Sequence, residues 1–321
     1  MDLELQEVNS RYKRNLQRLE NYVKSIYERV KRWRISAYYR NYYYRMIQRW
    51  HNQQKQRLLN EKNAEISKIR AKYSKPVNRR KKACLVGINY ENTQYRLNGC
   101  VNDVFKMRNM LVNHYGYHNN DVKLILNQHA SRNTILREFI SLVNDAVEGD
   151  TIWFSFSGHG VYLKDRSGDE KDGKDELIVT SDFYGIYDDE FKHILQRYLK
   201  KGVKLFALFD NCHSGTILDL RYQYMKNEPL TIHNGYEDTK GDVMCISGCM
   251  DSQTSIDAYL EGKYNGAMTW ALVDLLSKEK YLTWEQCINK VRQKLKDRKF
   301  HQIPQLTSGT KMEITKEKVV F

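Results

Sequence analysis

From Lys82 onward, short apolar runs alternate with longer amphipathic stretches, and this alternation restricts the fold more than any other feature of the chain. The runs are five to seven residues long and lack the strict apolar–polar alternation of a half-exposed strand. They are typical of parallel strands buried on both faces and joined by helices. The predicted strands are 84–90, 122–126, 151–156, 203–209 and 242–247, and the predicted helices are 102–114, 134–146, 189–199, 266–277 and 283–295.

Two of these strands end in stretches that place a reactive side chain among small residues, FSGHG (156–160) and DNCHSG (210–215). Because working sites of open parallel sheets lie at the carboxyl ends of strands, neighbouring strands would bring His159 and Cys212 to one edge. A thiolate beside an imidazole supports acyl transfer, with the imidazole donating a proton to the leaving amine. The backbone N–H groups of Gly160 and Cys212 are the predicted oxyanion donors.

The composition argues against a membrane-spanning or disulfide-stabilised chain. No apolar run approaches the roughly 20 residues that a membrane span needs. The first ten residues, MDLELQEVNS, lack the basic-then-apolar order of a signal peptide. The six cysteines form no C-x-x-C pair, and Cys245 and Cys249 have no histidine or cysteine cluster nearby to complete a zinc site. We expect reduced thiols and a cytoplasmic location, with a nuclear location also open.

The net charge of +14 originates entirely in the first quarter of the chain. Residues 1–82 contain 23 Lys and Arg against 7 Asp and Glu, a net of +16, which leaves 30 basic and 32 acidic residues, a net of −2, for the remainder. Apolar residues in this segment recur at alternating steps of three and four, which indicates a helical heptad seam. A second helix is predicted over 46–71, with a weak break near SAYYRNYYYR. The seam residues are Leu16, Leu19, Val23, Ile26, Val30, Trp33 and Ala37.

Three interpretations of this basic segment stay open. A helical hairpin or coiled-coil arm would serve packing or self-association. Nine tyrosines interleave with its basic residues, which suits an acidic partner such as nucleic acid bound through residues 1–82. A removable pro-segment is compatible with either role.

The motifs around His159 and Cys212 resemble those of the metacaspases, a caspase-like family of cysteine peptidases, and the likeness extends from Lys82 to the end of the chain. Two motifs carry the resemblance first, SGHG after one strand and D-x-C-H-S-G after the next. Four further stretches also match the family: KACLVGINYENTQYRLNGCVND, CISGCMDSQTSID, NGAMTWALVDLL and QIPQLTSG. The short connection between the halves resembles type I metacaspases. The resemblance implies a caspase-like three-layer αβα sandwich with a mostly parallel central sheet, preceded by a helical arm. The implied divisions are an arm over 1–81 and a peptidase domain over 82–321, itself comprising a larger part 82–220, a linker 221–241 and a smaller part 242–321.

The resemblance implies an endopeptidase that cleaves after Arg or Lys, with a Cys–His dyad and self-processing. Its S1 pocket, which holds the substrate side chain before the cleaved bond, would comprise Cys100, Asp103, Ser157 and Asp210. Two carboxylates in a partly dry cleft attract a guanidinium or ammonium group and reject a carboxylate. The alternative reading of Asp103 is a helix N-terminal residue favoured by the helix dipole.

The family is also calcium-stimulated, and a dense acidic stretch over 165–190 suits a hard cation. The stretch does not follow EF-hand spacing. When Gly173 is aligned with the invariant glycine of an EF-hand loop, Gly168 and Val179 fall at the first and last positions, where calcium ligands are required. The resemblance points instead to Asp172, Asp188, Asp189 and Asp219 as ligands of Ca2+ acting as an activator. The alternative is a solvated acidic loop in which Asp188 and Asp189 cap a helix.

Two features depart from the family pattern. Asn211 stands before the predicted nucleophile, where the family usually has Ser. The arm lacks the Pro-rich or zinc-finger composition common in type I prodomains. The alternative function is therefore a caspase-fold adaptor whose basic arm binds partners or nucleic acid.

Overall fold

The computed structural model describes residues 2–73, 79–164, 174–211, 217–226, 228–248, 257–260 and 263–321. The chain divides into two compact units, Met1–Val77 and Asn78–Phe321.

The first unit is a helical hairpin of α1 (Asp2–Lys31) and α2 (Ala37–Tyr73). The heptad seam of α1 faces α2 and buries Val23 and Val30, and Val8 is also buried nearer the start of the helix. Exposed ion pairs contribute little to stability, so this apolar seam holds the two helices together. The predicted helical arm is confirmed.

The hairpin turn lies earlier in the chain than the sequence predicted. The break covers 32–36, and α2 begins at Ala37 instead of near residue 46. The tyrosine-rich stretch contains no Gly or Pro and continues the helix. The Arg40 guanidinium donates to the carbonyl oxygen of Trp33 (3.3 Å) and thereby satisfies a backbone acceptor beyond the end of α1. Trp33 and Ala37 are exposed and lie outside the seam.

The second unit is built around a sheet that is mostly parallel. Its strands are β1 (Lys81–Gly87), β2 (Val122–Leu126), β3 (Thr151–Ser157), β4 (Gly160–Lys164), β5 (Lys174–Val179), β6 (Gly185–Tyr187), β7 (Lys204–Asp210), β8 (Tyr222–Tyr224), β9 (Thr231–Ile232), β10 (Asp242–Ser247), β11 (Asp257–Leu260), β12 (Lys263–Gly266) and β13 (Gln305–Ser308). Its helices are α3 (Cys100–Tyr115), α4 (Arg132–Asp145), α5 (Asp188–Tyr198), α6 (Ala267–Lys278) and α7 (Trp284–Asp297).

Among the described residues, the central sheet has the order β2-β1-β3-β7-β10-β13-β8-β9. The first five strands are parallel, and β13, β8 and β9 run antiparallel to their neighbours. Two small antiparallel sheets, β4-β5-β6 and β11-β12, lie outside it.

Helices cover both faces of the central sheet. Because successive strand residues point to opposite faces, Leu85 and Trp153 pack in one core, whereas Val86 and Phe154 pack in the other. The first core is closed by α3, α6 and α7, and the second by α4 and α5. The predicted three-layer αβα sandwich is therefore confirmed.

The five predicted strands and five predicted helices of this unit are present within a few residues of their expected bounds. The missed elements are the small sheets and the antiparallel edge of the main sheet. These strands are short and lack the apolar runs that identify a doubly covered strand. The segment 221–241, expected to be a polar connection, contributes β8 and β9 to that edge.

The strand order brings three carboxyl ends together. Strand β3 pairs with β1 on one side and β7 on the other, so that Ser157 is aligned with both Gly87 and Asp210. Gly87 is required at the end of β1, because a Cβ atom there would lie 2.6 Å from the carbonyl oxygen of Cys100. The glycine lets α3 begin directly against the sheet edge.

Candidate active site

His159 is held by two tyrosines in the loop that follows β1. Its backbone N–H donates to Tyr90 Oη (2.9 Å), and that hydroxyl donates to the carbonyl oxygen of Val179 (2.6 Å). The Tyr90 ring lies against the imidazole with 4.6 Å between centroids. Burial raises the pKa of Tyr90, so the hydroxyl stays protonated and keeps its donor role at neutral pH.

The second tyrosine sets the proton position on the imidazole. Nε2 of His159 lies 2.6 Å from the carbonyl oxygen of Tyr95. A carbonyl oxygen can only accept, so Nε2 carries the hydrogen and Nδ1 of the neutral ring is left as the base. Neither Tyr90 nor Tyr95 was singled out from the sequence, although both lie just after a strand that ends at the predicted edge.

Cys212, the predicted nucleophile and second oxyanion donor, lies outside the described residues. Cys212 can lie beside His159 only if the strands that precede the two residues are neighbours. The pairing of β3 with β7 meets this condition. Asn211, the last described residue before it, is fully buried. Gly160, the other predicted oxyanion donor, directly follows the histidine and opens β4.

The other described cysteines are unsuited to nucleophilic attack. Cys84, Cys100, Cys245 and Cys287 are buried cysteines with reduced side chains. Burial raises the pKa of Cys84 and Cys287 to about 12, which leaves a negligible thiolate fraction at neutral pH. Cys249 lies outside the described residues.

The structure brings together the four residues predicted for the S1 pocket. Ser157 ends β3 and donates its hydroxyl to Asp103 Oδ2 at 2.7 Å. Asp103 lies in the first turn of α3, which begins at the buried Cys100. Asp210, aligned with Ser157, completes a buried pair of carboxyl groups that we call the aspartate pair, Asp103 and Asp210.

Gly266 lies against both members of the aspartate pair and was missed as a site residue. Its backbone N–H donates to both carboxylate oxygens of Asp103 (3.0 Å each). A Cβ atom on Gly266 would lie 2.7 Å from Asp103 Oδ2 and closer still to Asp210 Oδ2. In the sequence it stood out only as the first residue of the predicted helix 266–277.

Burial makes the charged form of the aspartate pair costly. It raises the pKa of Asp103 well above the usual range, and the nearby charge of Asp210 raises it further. Hydrogen bonds from Ser157 and Gly266 act in the opposite direction. Asp210 accepts from the backbone N–H of Thr269 (2.9 Å). A cation placed between the two carboxyl groups would remove their mutual repulsion.

Three of the four predicted calcium ligands lie around the start of α5. Asp188 is buried and accepts from the backbone N–H groups of Glu176 (2.7 Å) and Asp189 (2.8 Å). Burial and then the charge of Asp219 raise the pKa of Asp188 to about 8. The fourth residue, Asp172, lies outside the described residues.

A lysine supplies positive charge to this acidic group. Lys192 Nζ lies 3.2 Å from Asp219 Oδ2 and 3.6 Å from Asp189 Oδ1, and sits 4.5 Å above the ring of Tyr236. Within the described part of the chain, no group of three or more His, Cys, Asp or Glu side chains has a metal-holding arrangement. Carboxylate oxygens nevertheless match the donors that Ca2+ prefers.

Comparisons with known proteins identify the family. The family described as "Metacaspase, peptidase C14 domain" matches residues 81–221. Metacaspase-1B of Neurospora crassa is 34% identical over 285 residues, covering 72% of this chain and 67% of that protein. Metacaspase-1 of Schizosaccharomyces pombe is 33% identical over 292 residues, covering 73% of this chain and 68% of that protein. The chain belongs to the metacaspase family.

Metacaspase membership makes the chain a cysteine-type peptidase, a hydrolase that acts on proteins. The fold agrees with a crystal structure of a Geobacter sulfurreducens protein, which has a TM-score of 0.57 and 23% identity and covers 75% of this chain and 97% of that one. The helices of the described residues include none that is long and apolar enough to cross a membrane.

The raised pKa of Asp103 predicts a pH-dependent stability that the Asp103→Asn variant should lack. The folded state binds this proton more tightly than the unfolded state, so the free energy of unfolding should fall as pH rises from the ordinary Asp range, about 4, through the raised folded pKa. Asp103→Asn should therefore gain stability relative to wild type as pH rises, measured by urea unfolding between pH 5 and 9. The exposed-site control Asp145→Asn should parallel wild type, and a constant difference for Asp103→Asn would contradict the prediction.

Proposed function

We propose that this metacaspase is a calcium-stimulated endopeptidase that cleaves after Arg or Lys through Cys212 and His159. The observation that carries the proposal is the buried aspartate pair, which shares a sheet edge with His159. Ser157 donates to Asp103 and lies two residues before the histidine, so the end of β3 positions both the Asp103 carboxyl group and the imidazole.

Each covalent step has a group suited to it. His159 Nδ1 takes the thiol proton as Cys212 Sγ attacks the substrate carbonyl carbon, and the N–H groups of Gly160 and Cys212 bind the resulting oxyanion. When the C–N bond breaks, the imidazolium returns that proton to the leaving amine. Water then hydrolyses the thioester, with His159 acting as base. The Tyr95 carbonyl stabilises the imidazolium and fixes its orientation.

The aspartate pair accounts for a preference for basic substrates. A guanidinium bound there would form charge-assisted hydrogen bonds with two carboxylates and cancel the repulsion between them. A substrate aspartate would place a third carboxylate in the same buried volume. Specificity therefore combines attraction of cations with rejection of anions.

Calcium stimulation rests on the carboxylates near α5. Asp188, Asp189 and Asp219 would hold the ion together with Asp172, and the bound charge would neutralise carboxyl groups that burial otherwise disfavours. The Lys192 ammonium already offsets part of this negative charge.

Self-processing is the remaining part of the proposal. Lys226 and Lys240 are exposed basic residues in the segment between the two halves of the peptidase unit. A third candidate for self-cleavage is the basic run Arg79–Lys82. This run is restrained, because the Arg80 guanidinium donates a hydrogen bond to Asp150 (3.0 Å).

A fluorogenic peptide series with Arg, Lys or Asp at P1 tests the function. We expect Arg and Lys peptides to be cleaved in the presence of calcium and the Asp peptide to be refused. Cys212→Ala and His159→Ala should lower turnover by at least about 1,000-fold. His118→Ala, which removes an exposed histidine, should leave it unchanged. Activity that survives Cys212→Ala, or a preference for Asp at P1, would refute the proposal.

Gly266→Ala tests the specificity assignment without touching either catalytic residue. The added methyl group would collide with both carboxyl groups of the aspartate pair. We expect kcat/KM for the Arg peptide to fall by about tenfold or more, chiefly through KM, because binding of the cation is lost. Gly235→Ala is the matched control, since its Cβ atom would meet no atom within 4 Å. Equal KM values for the two variants would show that the aspartate pair does not receive the substrate side chain.

Asp219→Asn tests the calcium assignment. Asp219 has φ 46°, a conformation that asparagine also adopts readily, so the backbone should be retained. We expect activity without calcium to be unchanged and the stimulation by calcium to be lost, measured by titrating the ion against Arg-peptide turnover. Asp145→Asn should respond as wild type does. A normal calcium response in Asp219→Asn would exclude this carboxylate as a ligand.

A further inference from the structure

One face of α2 near the hairpin turn exposes large rings to solvent. Tyr39, Tyr42, Tyr43, Met46 and Trp50 follow the spacing i, i+3, i+4, i+7 and i+11, which places them on a single helical face. They are between 38% and 58% exposed. We call this set the aromatic stripe. From the rise of an α-helix it is about 16 Å long.

The aromatic stripe lies beside the face with which α2 packs on α1. The packing face carries Tyr44, whose ring lies 5.1 Å from that of Tyr27 in α1. The border of the stripe touches the hairpin turn at Tyr43 and touches α1 at Trp50, whose ring lies 6.1 Å from that of Tyr22. These edge contacts leave every side chain of the stripe more than a third exposed.

All the charged side chains in the part of the chain around the aromatic stripe are basic. Residues 29–60 contain nine Lys and Arg and no Asp or Glu. The ion pairs of the hairpin's described residues join Arg11 to Glu65, Lys55 to Glu20 and Arg57 to Glu61. None of them involves a basic residue between 29 and 49, which leaves seven cations around the stripe without a carboxylate partner among the described residues. Those seven are Arg29, Lys31, Arg32, Arg34, Arg40, Arg45 and Arg49.

We propose that the aromatic stripe and its surrounding cations bind single-stranded nucleic acid. Unpaired bases present flat faces that stack on exposed tyrosine and tryptophan rings, and the phosphates between them pair with arginine. Arg45 and Arg49 lie on α2 one turn from stripe residues and can reach a backbone that follows the stripe. A base-paired duplex hides its base faces and gains only the charge interaction.

The same features disfavour two other occupants. A second copy of the hairpin would bring two surfaces of equal positive charge together, and residues 29–60 contain no carboxylate to offset this. A helix that lies in a membrane interface buries an apolar face of Trp, Phe and Leu among the acyl chains, whereas the stripe is mainly tyrosine, whose hydroxyl groups suit a polar ligand. The inference does not depend on peptidase activity.

Fluorescence anisotropy with the full-length Cys212→Ala chain tests the proposal, because this variant removes the predicted nucleophile and with it self-digestion. The probes are a labelled 20-mer of uridine, the same length of thymidine, and a 20-base-pair duplex. We expect both single strands to bind more tightly than the duplex, with affinity falling as salt rises. Vesicles containing phosphatidylserine provide the comparison with a membrane.

Two sets of variants separate stacking from charge. Tyr39→Ala, Tyr43→Ala and Trp50→Ala together should weaken single-strand binding by about tenfold or more. Tyr39→Phe with Tyr43→Phe keeps the rings and should bind as the parent does. Arg45→Gln with Arg49→Gln should reduce the slope of log K against log salt by about 1.4. Tyr281→Ala, which removes an exposed ring from the other unit, is the control for the aromatic changes.

Circular dichroism of each variant must show the parent's helix content, since the side chains buried between the two helices are the α1 valines and not those of the stripe. Failure of both single strands to bind at low salt would overturn the proposal. So would full affinity in the triple alanine variant, or binding to the vesicles with none to the oligonucleotides. None of these outcomes affects cleavage of the Arg peptide, so the proposed peptidase function stands or falls separately.

Discussion

The alignment of β3 with β7 is the constraint on which the site depends. Their parallel pairing sets Ser157 opposite Asp210, and each strand end leads within two residues to a predicted catalytic position. A shift of one strand by one residue would move its side chains from one core to the other, because side chains alternate along a strand. The two cores that cover this sheet therefore fix the chemistry at its edge as firmly as they fix the fold.

Burying two carboxyl groups side by side costs stability, and the sheet edge offsets only part of that cost. Ser157 and Gly266 donate hydrogen bonds to Asp103. Because Gly266 has no side chain, its backbone can also lie close to the carboxyl group of Asp210. The raised pKa of Asp103 expresses the remaining cost. Such a site gains most from a ligand with a delocalised positive charge. The two carboxyl groups have already lost their contacts with water, and the cation supplies charge-assisted hydrogen bonds in their place.

Much of the peptidase unit could be predicted from sequence, because doubly covered strands are apolar runs and the helices between them are amphipathic. Asp103, Ser157 and Asp210 were identified through the resemblance to the metacaspases, and the structure places them at strand ends and in the first turn of a helix. Tyr90 and Gly266 were not found, since their roles depend on a hydroxyl bridging two loops and on the absence of a side chain. Neither role leaves a pattern in the sequence. The hairpin turn was misplaced for a related reason: no Gly or Pro marks it.

The distribution of charge gives the two units different physical tasks. The peptidase unit is nearly neutral, so its acidic groups act at short range within buried clusters, where the local dielectric strengthens each contact. The arm carries a surplus of exposed cations, whose interactions are screened beyond about 10 Å at 0.1 M salt. Charge of this kind does not hold a helical hairpin together, since the apolar seam does that. It must repel other copies of the arm and attract polyanions, and exposed rings among the cations give such a partner flat surfaces on which to stack.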